Sequence, residues 1–117
     1  MEKRRRLVKT ADYARVHSAG RSWALPLLVV RALPSGQETT RFGLSVGKRV
    51  GKAVVRNRVK RLLREAVRSI VVKPGWDVVI IARAPSALAS YQNVRAAVVE
   101  ALRRARLLTE GFPKEER

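Results

Sequence analysis

Residues 53–68, AVVRNRVKRLLREAVR, carry six Lys or Arg side chains and a single acid, Glu65. Turned at about 100° per residue, the stretch sorts its side chains into two arcs. Val55, Val59, Leu62, Leu63, Ala66 and, just beyond, Ile70 fill an apolar arc of roughly 100°. Arg56, Asn57, Lys60, Arg61, Arg64 and Arg68 fill a polar arc of roughly 140°. The spacing predicts an amphipathic helix from about Lys52 to Ile70, anchored by one stripe and displaying a cationic wall with the other.

That wall conflicts with local rules. Like charges at i,i+4 cost a few tenths of a kcal/mol each, and Arg56, Lys60, Arg64 and Arg68 form a run of such pairs. Glu65 is the one acid able to relieve them, by pairing with Arg61 or Arg68. Lys48, Arg49 and Lys52 stand at the helix N-terminus, where the macrodipole favours acids instead. A phosphate backbone would relieve both conflicts at once, and sequences that break local rules in one place commonly do so for function. Asn57 adds no charge, and an alanine would suit the middle of a helix better. It offers both a donor and an acceptor to a ribose hydroxyl or a base edge, where arginine can only donate.

The rest of the chain agrees. Its 117 residues fit one domain with its own core, and the net charge of +17 points to a polyanionic partner. The charge is uneven: residues 1–68 hold 18 Lys or Arg against 4 acids, and residues 69–117 hold 8 against 5. The first two-thirds of the chain is therefore expected to contain the binding surface. The chain has no cysteine, which excludes disulfides and Cys-ligated metals. The opening MEKRRRLVK has the charge of a signal-peptide start, but no apolar core follows it. The apolar runs ALPLLVV and VVIIA are too short to span a bilayer. A cytoplasmic protein is expected, with no membrane partner.

Outward from the basic helix, residues 1–8 are read as a frayed basic tail. TADYARVHSAG predicts a short helix capped by Thr10 and closed by Gly20, with Tyr13, Val16 and His17 on one face. WALPLLVVRAL predicts one strand with Pro26 near its start, and PSGQETT a loop. RFGLSVG predicts a strand with Phe42, Leu44 and Val46 in alternation. After the basic helix, KPGWD is a turn and DVVIIA a strand buried on both faces. A last helix runs from about Tyr91 to Leu108 with Val94, Ala97, Val98, Ala101, Leu102 and Ala105 inward, and residues 109–117 form a frayed tail. The order helix–strands–helix–strand–helix predicts a single α+β sandwich. Trp23, Phe42 and Trp76 read as core or edge packing, and Arg103, Arg104 and Arg106 as solvent-facing.

Several activities are poorly supplied. VGKRVGKA imitates a phosphate loop, but Gly47 and Gly51 enclose three residues rather than four, and Ala53 stands where Ser or Thr is needed. A two-metal nuclease needs clustered carboxylates, yet the nine acids are scattered. His17 is the sole histidine, so a two-histidine acid–base pair is impossible. No catalytic residue and no metal site is expected of this chain. No helix-turn-helix spacing points to duplex DNA.

At this point a family comes into view. RFGLSVGKRVGKAVVRNRVKRLLREAVR resembles the signature segment of the bacterial ribonuclease P protein subunit. The resemblance lies in Arg56-Asn57-Arg58, preceded by Lys48, Arg49, Gly51 and Ala53 and followed by Lys60, Arg61, Arg64 and Glu65. RLVKTADYARVHSAGRS is similar to the family's first helix and GWDVVIIARAP to its last strand, so the likeness covers roughly residues 4–108. It implies a ribosomal-protein-like fold with a left-handed strand–helix–strand crossover, against the right-handed rule for such connections.

The resemblance also implies a division of labour. A catalytic RNA subunit, working with magnesium, would remove the 5′ leader of precursor tRNA. The protein would bind that RNA through Lys48, Arg49, Lys52, Arg56, Asn57, Arg58, Lys60, Arg61, Arg64 and Arg68. A cleft between the first helix and the sheet would hold the single-stranded leader through Tyr13, His17 and Arg31. His17 stands where another Phe or Tyr is usual, and Arg31 where a further aromatic is often found. A neutral imidazole can still stack on a base. The competing expectation is a ribosomal or general RNA-folding protein, which shares the basic helix and needs no leader cleft.

Overall fold

In the computed structural model of the protein, the residues described are 3–109. A helix α1 (Thr10–Ala19) leads into strands β1 (Arg21–Ala24), β2 (Leu28–Pro34) and β3 (Arg41–Ser45). The basic helix α2 (Ala53–Arg68), strand β4 (Trp76–Ala82), a short 3-10 turn (Ala84–Leu88) and helix α3 (Tyr91–Arg104) follow. The element order is the expected one, an α+β sandwich.

The four strands lie in the order β1-β2-β4-β3. β1 and β2 are antiparallel, as are β2 and β4, while β3 and β4 run parallel with Gly43 opposite Val79. Parallel neighbours cannot be joined by a tight turn. The connection from β3 to β4 is α2 itself, so the crossover carries the basic helix.

The period-2 alternation decides which helix covers which face. Leu28, Val30 and Ala32 of β2 join Val78 and Ile80 of β4 in the main core, against Val59, Leu63, Ala66 and Val67 of α2 and Val94, Val98 and Leu102 of α3. Val79 faces the other way, with Val16 of α1 and Leu7. β4 is thus buried on both faces along most of its length, as its unbroken apolar run predicts. Fully burying a side chain such as Val16 stabilises the α1 contact by roughly 1.5–3 kcal/mol.

Four expectations need correction. WALPLLVVRAL is two strands, because Pro26 lies in the turn of a hairpin closed by Leu25 N–H to Leu28 O at 2.8 Å. Thr10 begins α1 but does not cap it: Lys9 occupies the cap position, with no side-chain hydrogen bond there. Residues 3–8 are not frayed, since Leu7 is 3% exposed and its N–H donates to Phe42 O at 2.8 Å, alongside the bridge of Arg6 to Phe42. The last helix stops at Arg104. Arg106 takes φ 61°, Leu107 N–H reaches Leu102 O at 2.9 Å, and Arg106 N–H reaches Arg103 O at 3.0 Å. That pairing is a Schellman ending built without glycine. Of the two tails, residues 1–2 and 110–117 lie outside the described residues.

Candidate nucleic-acid interface

α2 presents its side chains as the apolar spacing requires. Val59, Leu62, Leu63, Ala66 and Val67 are buried, while Asn57, Arg61, Arg64 and Arg68 are exposed. No acid lies in its first turn and no side chain caps it. Lys48, Arg49 and Lys52 all stand exposed beside this uncapped end. Gly51 holds φ 153°, and a Cβ there would sit 3.0 Å from the Val55 side chain, so the chain enters the helix through a position built for glycine. Among the described residues Glu65 pairs with neither Arg61 nor Arg68. Among the described residues, the repulsion along the wall stays unrelieved.

The polar arc divides by direction. Arg58, half-buried, donates to Ala87 O at 3.3 Å and Ala89 O at 2.9 Å, tying α2 to the segment that leads into α3. Arg56 donates through Nε to Gly51 O at 3.1 Å, bracing the entry loop. Lys60 and Arg64 turn toward the outer edge of β3. Asn57, Arg61 and Arg68 project outward, and among the described residues no hydrogen bond or ion pair engages them.

The three residues expected in the cleft are not equivalent. Tyr13 lies across Gly43 of β3, where an added Cβ would meet the Tyr13 ring and hydroxyl at 2.6 Å. Burial raises its phenol pKa, and a hydrogen bond from the Leu44 backbone works in the opposite direction. His17 is exposed on α1, one turn further on. Arg31 sits in β2 between Ser22 and Val79 and donates through Nη2 to His17 O at 2.6 Å and Gly20 O at 3.1 Å. A cation on the last carbonyls of a helix is favourable, so Arg31 fastens the C-terminal end of α1 to the sheet. Beyond α1 the same face continues through Val29, Ile81 and Ser45, each half-buried, and Ala24, which is exposed.

The feature missed in the sequence lies at the opposite end of α1. Asp77, fully buried, accepts from Arg41 Nε at 2.9 Å and Nη2 at 2.8 Å, and from Arg15 Nη2 at 2.7 Å. Asp12 adds an ion pair to Arg41 at 3.4 Å. The Asp77 hydrogen bonds hold the Arg41 guanidinium above its ordinary pKa, against the pull of burial. With Arg31 at one end and this network at the other, α1 is fixed over the sheet. Charges far apart in sequence carry no local signal, although the acid leading an apolar run in WDVVIIA was a hint that it needed partners.

Elsewhere, Phe42 is 1% exposed, and Trp23 and Trp76 pack partly buried against the core. Arg103 and Arg104 reach solvent but pair with Glu100, each at 2.7 Å. Among the described residues no three His, Cys, Asp or Glu side chains cluster as metal ligands. The Asp12 and Asp77 carboxylates are already engaged by arginines. Among the described residues no helix is long and apolar enough to cross a membrane.

The comparisons with known proteins agree with this architecture. The family model for ribonuclease P matches residues 1–106. The chain is 39% identical over 114 residues to the ribonuclease P protein component of Dehalococcoides mccartyi, covering 97% of this chain and 95% of that one. It is 40% identical over 109 residues to that of Herpetosiphon aurantiacus, covering 92% and 89%. Among solved structures it is similar to the RNase P protein of Staphylococcus aureus, with TM-score 0.80 and 29% identity over 90% of this chain and 98% of that one. The RNase P protein of Thermotoga maritima gives TM-score 0.75 and 29% identity over 85% and 96%. With the Arg-Asn-Arg helix set on the same fold and the likeness running through nearly its whole length, the chain belongs to the ribonuclease P protein family.

Proposed function

We propose that the protein is the RNA-binding subunit of a ribonuclease P that removes the 5′ leader of precursor tRNA in the cytoplasm, with bond-breaking left to the catalytic RNA and its magnesium. The observation that carries this reading is the exposed wall of α2, with Asn57, Arg61 and Arg68 unengaged among the described residues. Phosphates would supply the counter-charge that the described residues do not. Lys48, Arg49 and Lys52 would extend the contact to the RNA subunit past the helix N-terminus. Arg56 and Arg58 would serve it by shaping the helix's surroundings, since their donors are partly engaged within the protein.

The leader would lie along the sheet face beside α1, with Tyr13 and His17 offering ring faces. Arg31 would contribute through the position of α1, because its Nη2 is committed to two carbonyls. Comparing the affinity of the reconstituted holoenzyme for precursor and mature tRNA tests this reading. The precursor should bind tighter, and Tyr13→Ala should remove roughly 1–3 kcal/mol of that preference. Equal binding of the two tRNAs would favour a general RNA-folding protein instead.

A further inference from the structure

The outer edge of β3 carries a groove of about 290 Å³ that combines residues from both surfaces described above. Its floor includes Phe42, Leu44 and Tyr13, and its rim is Arg6, Lys60 and Arg64. The floor is fixed: Phe42 is 1% exposed, and Tyr13 is laid against Gly43. The rim is uncompensated, since among the described residues Arg6, Lys60 and Arg64 have no hydrogen-bond or ion-pair partner. Three cations from the N-terminal segment and from α2 therefore surround one apolar and aromatic surface.

That combination matches the chemistry of a single-stranded nucleic acid, whose bases stack on apolar and aromatic faces while phosphates meet cations. A peptide added as a strand fits less well. Phe42 O already accepts from Leu7 N–H at 2.8 Å, so an edge group that strand addition would use is taken. We propose that this groove binds one unstacked RNA nucleotide, its base on the Leu44–Tyr13 floor and its flanking phosphates on Arg6, Lys60 and Arg64. The α2 wall and the α1 side then form one continuous RNA track around the β3 edge, not two separate surfaces. The inference rests on the RNA-binding reading above.

Photo-crosslinking on the reconstituted holoenzyme tests it, with 4-thiouridine placed at single positions in the leader in one arm and in the RNA subunit in the other. A label in one arm should attach to a peptide containing Leu44 or Lys60, and that arm identifies the strand. Arg6→Glu, at an exposed position, should lower the yield about fivefold or more, while Arg103→Glu on α3 should not. The inference is overturned if the holoenzyme cleaves precursor yet no label in either arm reaches the groove. It is also overturned if the groove crosslink survives both Arg6→Glu and Lys60→Glu undiminished. A protein that fails to join the RNA subunit at all overturns the underlying reading, and the groove with it.

Discussion

At Gly43 a missing side chain is what lets Tyr13 settle on β3. A Cβ at 2.6 Å from the ring cannot be accommodated without displacing the Tyr13 side chain, so Gly43→Ala should cost roughly 1–3 kcal/mol, the usual penalty of overpacking, read as a lower denaturant midpoint. Tyr13 also has a signature in pH. Its phenol is raised above 10.0 in the folded protein, so the fold keeps a proton that the unfolded chain releases. That contribution is complete below about pH 10 and is lost as pH rises through the folded value. Urea unfolding at about pH 9 and 11 should therefore show a steeper alkaline loss for the native protein than for Tyr13→Phe. Equal slopes would mean that the phenol is not buried as described. None of this was legible in the sequence, where RFGLSVG offered alternation but no sign that α1 needed its glycine.

Among the elements, α2 was the most legible, because a 3.6-residue period survives any tertiary context. What the period could not separate is which cations on the wall are already used. Arg58 and Arg61 look alike in RNRVKR, yet Arg58 spans to Ala87 and Ala89 while Arg61 faces outward. Arg58→Ala should lower stability by roughly 1–3 kcal/mol. Arg61→Ala should stay within about 0.5 kcal/mol while reducing the magnitude of the salt dependence of RNA binding by about 0.9. Parallel thermal melts and salt titrations of the two variants check this. The end of α3 was misread for a related reason: a Schellman ending normally announces itself with glycine, and here Arg106 takes the left-handed position. Arg106→Gly should therefore raise stability by roughly 0.5–1 kcal/mol, seen as a higher melting temperature.

Across the whole molecule, the layers were legible because β4 is an unbroken apolar run and must be covered on both faces. The order of the strands was not, since nothing local in RFGLSVG or DVVIIA says that they pair in parallel. The hairpin at Pro26 was lost because ALPLLVV has no glycine or asparagine to mark a turn. The Asp77 network was hidden by distance, joining Arg15, Arg41 and Asp77 across three elements. These long-range devices hold α1 over the sheet face opposite the one that α2 covers.

On the proposed function, this cationic fold lends grip and charge to a catalytic RNA and breaks no bond itself. Precursor tRNA should be incubated at low magnesium with the purified protein alone, with the transcribed RNA subunit alone, and with both. The protein should cleave nothing, the RNA should cleave weakly, and the pair should remove the 5′ leader accurately and much faster. Leader removal by RNA-free protein, or unchanged RNA activity on adding it, would overturn that division of labour.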